Sequence, residues 1–371
     1  MRRTLTTILA IALLLAGCGG EAGEETTVPP TTAPAMTSPP TTAVAATTPV
    51  TTSTTALPPE TGVEVVRDVP YHDGFEGASW PPPDSTARWN APLLDVFSPV
   101  GGEGLPVVVI VQPGTGEDYE GFAQAFAAGG AVVFMPDWGG DGILPPRGLA
   151  QTGSSAEAVE VVRQVKDEFA CAVSYAVAHA AEYGGDPTRL VLFGHSGGAN
   201  QAGTAALTET SPSPGCAVGP TPWAATGLVF WEGDWLLLDY GWDMFETDLA
   251  DLLPVLTPWP SLATAPDVAQ TVFLVTDRGR RQLHRPLSET AQALSWRDPS
   301  GEMVRELSAV GAFADGYVDV GEESEVMVLA MNDLGKAAHL VALTDPGSSH
   351  EFLAPADFDL VVDVVLSLAR G

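Results

Sequence analysis

The chain has 371 residues and a formal net charge of −31, with 47 Asp and Glu against 16 Lys and Arg. That field opposes association with nucleic acid and with anionic lipid headgroups. Three cysteines without a paired CxxC, and no HExxH, give no zinc-binding pattern, so neither a metal nor another cofactor is expected.

Residues 1–17 read as an export signal. Arg2 and Arg3 precede an apolar stretch, Ile8 to Ala16, that is too short to span a bilayer as a finished helix. The run Leu15-Ala16-Gly17-Cys18 resembles a bacterial lipobox, which implies cleavage before Cys18 and acylation of its thiol. Residues 18–60 are dominated by Thr, Pro, Ala, Gly and Glu, with too few large apolar side chains to offset the entropy of ordering. Such a segment is a spacer, with a polyproline-like reach of up to roughly 120 Å. The expected location is therefore the cell surface or the periplasmic face of a membrane, with attachment through the lipid alone.

Residues 61–371 are long enough for one large domain with a substantial core. LLDVFSP (93–99), PVVVIVQ (106–112) and AVVFMP (131–136) read as strands, with a short glycine-ended helix, YEGFAQAFAAGG (119–130), between the last two. A long helix follows over 154–185, entered at a serine and closed by glycines. RLVLFG (189–194) is an apolar strand, and ANQAGTAAL (199–207) a helix of small residues. GLVFWEG (227–233) and TVFLVT (271–276) are further strands, separated by a Trp- and Leu-containing interval at 235–265 that reads as a cap. Residues 278–320 read as a loop insertion. Helix 322–335, strand AAHLVAL (337–343) and a closing amphipathic helix over 358–370 complete the chain. Strands that are continuously apolar, alternating with helices, predict an α/β protein whose mostly parallel sheet is covered on both faces. In such sheets ligands bind at the carboxyl ends of the strands.

Gly194-His195-Ser196-Gly197-Gly198 stands at one of those ends. The pattern G-x-S-x-G recurs by chance in glycine-rich chains; its position between an apolar strand and a small-residue helix is what distinguishes it. A serine hydroxyl is a weak nucleophile. It needs a neighbouring base, an acid to orient that base, and N–H donors for the developing oxyanion. Three histidines follow Ser196: His284 in a basic loop, His339 at the start of a strand, and His350 in the small-residue loop DPGSSHEF.

The segments PVVVIVQPGTG, AVVFMPDW, YGGDPTRLVLFGHSGGANQAG and GSSHEF resemble the α/β-hydrolase fold, particularly its esterase, lipase and dienelactone-hydrolase-like members. The resemblance implies a triad in the order serine, acid, histidine, with Ser196 as nucleophile and His350 as base. For the acid it leaves two positions open: Asp277, directly after TVFLVT, and Asp315, ahead of the helix that leads to the last strand. It places the oxyanion donors at the Gly197 and Thr115 N–H groups, although Gln112-Pro113-Gly114 stands where the family often has His-Gly. Trp138, Trp231, Trp235 and Trp242 could line an acyl pocket or pack the core. Cys171 and Cys216 flank the Ser196 region and, in an oxidising compartment, are expected to pair, with two buried thiols as the other reading.

The function expected is a tethered serine hydrolase that cleaves carboxylic esters. A non-catalytic ligand-binding lipoprotein on the same scaffold, an acyltransferase and a peptidase remain as alternatives.

Overall fold

The computed structural model describes residues 62–73, 93–112, 119–137, 155–208, 215–235, 257–282, 284–286, 302–311 and 317–371. Cys18 and the spacer, Thr115, Trp138, Trp242, Asp315 and most of the 235–265 interval lie outside them. The chain divides at residue 57, and every described residue belongs to the unit Pro58–Gly371. No described helix is long and apolar enough to cross a membrane.

The strands are β1 (Val63–Pro70), β2 (Leu93–Pro99), β3 (Leu105–Val111), β4 (Val132–Asp137), β5 (Gly185–His195), β6 (Gly227–Trp231), β7 (Gln270–Thr276), β8 (His284–Pro286), β9 (Tyr317–Asp319) and β10 (Ala338–Leu343). Eight of them form one sheet in the order β1-β2-β4-β3-β5-β6-β7-β10. From β4 to β10 every neighbouring pair is parallel, while β2 runs antiparallel to both β1 and β4. This is the strand arrangement of the α/β-hydrolase fold.

The helices are α1 (Glu120–Ala128), α2 (Ser155–His179), α3 (Gly197–Leu207), α4 (Asp277–Gln282), α5 (Glu302–Ala309), α6 (Val320–Asp333) and α7 (Pro355–Arg370). The central strands are apolar throughout because both of their faces are covered. Val107, Val109 and Val111 of β3 pack with Phe169 and Val173 of α2, small residues of α3 and Met327 of α6. Val108 and Ile110 point the other way, onto Phe122 and Phe126 of α1 and Val361 and Val365 of α7. The small residues of α3 allow close approach, and every residue from Gly197 to Leu207 is buried.

Three features differ from the sequence expectation. β1 is an additional edge strand; its pairing with β2 shifts register between Val66 and Val69, and Asp68 there has φ 56°, so its residues do not alternate cleanly. The 278–320 stretch, expected as a loop, carries α4, α5 and the antiparallel pair β8–β9. Helix α6 begins at Val320 rather than 322 because Asp319 and Glu322 form a reciprocal capping box. Cys171 of α2 and Cys216, ahead of β6, are joined in a disulfide.

Candidate active site

Strand β5 delivers Ser196 to the carboxyl end of the sheet, beside the end of β6, where the Ser196 amide donates to the Trp231 carbonyl at 2.8 Å. Ser196 has φ 50° and ψ −126°, a left-handed conformation that costs a non-glycine residue roughly 1–3 kcal/mol and is typical of functional turns. Its neighbours have to be small. A Cβ on Gly194 would lie 2.7 Å from the Ala199 Cα, and one on Gly198 would lie 2.1 Å from the Val111 carbonyl oxygen. Gly197 and Gly198 open α3, where first-turn amides have no intrahelical acceptor and the helix dipole favours negative charge. Gly197 therefore stands where the sequence places an oxyanion donor; Thr115, its expected partner, lies outside the described residues.

His350 comes from the loop between β10 and α7. That loop is tied down by Ser348 N–H to the Asp345 carbonyl (2.9 Å), Ser349 N–H to the Phe352 carbonyl (2.7 Å) and Ala354 N–H to the Ser348 hydroxyl (3.0 Å). His350 Nε2 lies 3.0 Å from Ser196 Oγ. On the other side of the ring, Nδ1 lies 2.8 Å from Oε2 of Glu232. A carboxylate only accepts, so Nδ1 carries the proton and Nε2 is left free to accept from the serine.

The partner of His350 is thus Glu232, and neither aspartate named from the sequence takes that place in the described structure. Asp277 begins α4 with an exposed side chain, and Asp315 lies outside the described residues. Glu232 follows β6 directly, has φ 49°, and is fully buried at its side chain. Its Oε1 accepts two hydrogen bonds from Thr276, one from N–H and one from the hydroxyl, both at 2.6 Å. The end of β7, expected to supply the acid, instead supplies the donors that hold an acid from β6. Asn200 of α3 adds a tie to the same turn, its side-chain N–H donating to the Asp234 carbonyl at 2.6 Å. Gly279 makes the packing feasible, because a Cβ there would lie 2.0 Å from Glu232 Oε1. A signal for Glu232 did exist: GLVFWEG ends an apolar strand on a carboxylate next to glycine, at the same end of the sheet as Ser196.

His195, the residue before the serine, is buried and stacks on Trp231 with ring centroids 3.8 Å apart. Its Nδ1 shares a hydrogen bond with the Tyr119 hydroxyl. Burial, followed by the nearness of His350, holds its pKa well below the usual histidine value. His195, Glu232 and His350 each bring a ligand atom within 4.8 Å of the others. Both Glu232 oxygens and both His350 nitrogens are already engaged in the hydrogen bonds above, an arrangement suited to proton transfer. Of the tryptophans, Trp231 is buried under His195, and Trp235 packs into the core against Phe230 and Phe273. His339 is exposed on β10, and His284 pairs with Asp319 across β8–β9.

No protein-family model matches the sequence, and no curated protein matches it either. Solved structures do match. An inhibited esterase B from Lactobacillus rhamnosis is 10% identical with a TM-score of 0.48, over 84% of this chain and 89% of that one. An esterase from Pyrobaculum calidifontis is 15% identical with a TM-score of 0.45, over 83% and 84%. Vibralactone cyclase is 14% identical with a TM-score of 0.46, over 85% and 82%.

Proposed function

We propose that this protein is a serine hydrolase that cleaves carboxylic esters through an acyl-enzyme. The observation that carries the reading is the continuous hydrogen-bonded line from Ser196 through His350 to buried Glu232. Ser196 Oγ attacks the acyl carbon as His350 Nε2 takes its proton, and Glu232 stabilises the imidazolium and fixes its tautomer. The Gly197 N–H faces the developing oxyanion, with the Thr115 N–H as the second donor that the resemblance implies. His350 then returns the proton to the leaving alkoxide. Water, activated by the same base, releases the acid and regenerates Ser196.

A ligand-binding protein has no need to keep a strained serine, a histidine and a desolvated carboxylate in register, so the geometry favours the enzyme over the binding alternative. Labelling with a fluorophosphonate probe tests this directly. Wild type should react, Ser196→Ala should not, and His350→Ala should react far more slowly. Folded wild-type protein that fails to label would overturn the reading. Release of free acid, as opposed to transfer to an added alcohol or cleavage of an amide, separates the hydrolase from the acyltransferase and the peptidase.

The lipobox and Thr/Pro spacer support attachment through an acylated Cys18, and the Cys171–Cys216 disulfide suits an oxidising compartment. Cys18→Ala should move the protein out of the membrane fraction; a variant that stays there counts against the anchor.

A further inference from the structure

The acyl-transfer chemistry leaves His195 without a task, yet three separate elements converge on this buried imidazole. Tyr119, at the entry to α1, bonds its Nδ1 through the phenol. Trp231, the last residue of β6, lies flat against one face, with planes 26° apart. The His350 ring packs against it with centroids 4.7 Å apart and planes 45° apart. Nε2 of His195 is buried, and the His350 main chain is the polar group that favours a proton on this ring.

We infer that His195 is a positioning residue for His350, a neutral imidazole clamped by Tyr119 and Trp231 against which the general base is seated. The inference rests on the Ser196–His350–Glu232 reading above. The hydrogen bonds of His350 to Ser196 and Glu232 are made by its ring nitrogens, so they fix rotation within the ring plane more firmly than tilt out of it. A flat neighbour at van der Waals contact adds restraint against that tilt. The neighbour must also be uncharged, because His350 becomes a cation when it takes the serine proton, and a second cation this close would oppose that step. Burial keeps His195 neutral, and the Tyr119 bond keeps it from rotating away. A tilt that moves Nε2 by about 1 Å can cost on the order of 100-fold in rate.

The test uses four variants at positions 119 and 195 and two readouts. His195→Phe keeps a flat neutral ring, though a larger one, and removes Nδ1. His195→Asn restores an acceptor for the Tyr119 hydroxyl. Tyr119→Phe removes only that hydroxyl, and the fourth variant combines Tyr119→Phe with His195→Asn. Ester turnover gives kcat and KM separately. The far-downfield proton resonance of His350 Nδ1–H, assigned by its loss in Glu232→Gln, reports the His350–Glu232 bond without any turnover. His195→Phe should lower kcat about 10- to 100-fold with KM within about two-fold, and should broaden the resonance. His195→Asn, which keeps an acceptor for Tyr119 and loses the ring, should fall at least as far, and adding Tyr119→Phe should change it little further.

A folded His195→Phe with wild-type kcat and an unchanged resonance overturns the inference. If His195→Phe does not fold, Tyr119→Phe decides alone: unchanged kcat and resonance overturn it. Wild type that turns over no ester, while its resonance still responds to these variants, would defeat the ester reading and uphold the positioning role.

Discussion

Glu232→Gln preserves the length and shape of the side chain and changes one atom. Oε1 receives two donors from Thr276 at 2.6 Å each, so the amide nitrogen cannot occupy that position without opposing both. It is forced to the Oε2 position, facing His350 Nδ1 at 2.8 Å, where it donates instead of accepting. His350 then has to present a bare Nδ1 and carry its proton on Nε2, the nitrogen 3.0 Å from Ser196 Oγ. A protonated Nε2 cannot take the serine proton. Loss of the correct tautomer in this way costs about 10³- to 10⁴-fold in kcat, which is about 4 to 5.5 kcal/mol of transition-state stabilisation. KM should change little, because Glu232 is buried behind His350 and does not touch substrate. The assay is steady-state hydrolysis of a short chromogenic ester, with folding checked by circular dichroism. Asp277→Asn is the control; its side chain is exposed at the start of α4, so its kcat should stay within about two-fold of wild type. Glu232→Gln retaining more than about a tenth of wild-type kcat, or Asp277→Asn losing decades of it, would refute the assignment.

Gly198→Ala places a Cβ 2.1 Å from a backbone carbonyl that cannot move aside, so it should cost about 2–3 kcal/mol in a denaturant titration and abolish fluorophosphonate labelling. Replacing Cys171 and Cys216 together by Ala opens a loop of 45 residues and should lower stability by about 4 kcal/mol on a chain-entropy estimate; an unchanged unfolding midpoint counts against the bond. His195 takes up its proton less readily in the folded state than in the unfolded one. Below the unfolded value of about 6.5 the unfolded chain therefore binds the extra proton, and stability falls as pH drops, by up to about 1.4 kcal/mol per pH unit. Above that value this group adds no pH dependence. His195→Phe should show a shallower loss of stability between pH 6.5 and 5 than wild type; parallel curves would refute the shift.

The sheet was legible wherever strands were buried on both faces, since runs such as PVVVIVQ and RLVLFG leave little choice but a covered parallel strand. Edge strand β1 was not, because a register shift and a left-handed Asp68 break its alternation. Ser196 stood out because its steric surroundings are written locally, in the glycines at 194 and 198 and the small residues of α3. His350 stood out because its loop follows the last strand. The acid did not, since orienting a histidine needs only a carboxylate at the right point in space. The ends of β6 and β7 are neighbours across the sheet, yet Glu232 and Thr276 are 44 residues apart along the chain. The disulfide was expected from compartment and spacing, and the structure joins the same two cysteines.

Glu232 and Gly279 are bound to one another by volume alone, with 2.0 Å between the carboxylate and where a side chain at 279 would begin. A side chain at 279 therefore requires Glu232 to leave its place against Thr276 and His350, which couples the two positions. Chains that share this geometry should therefore carry the pair as a unit: a glutamate closing the sixth strand and a glycine two residues inside the helix after the seventh. That coupled pair is a signature that can be searched for in a sequence even where the rest has diverged beyond recognition.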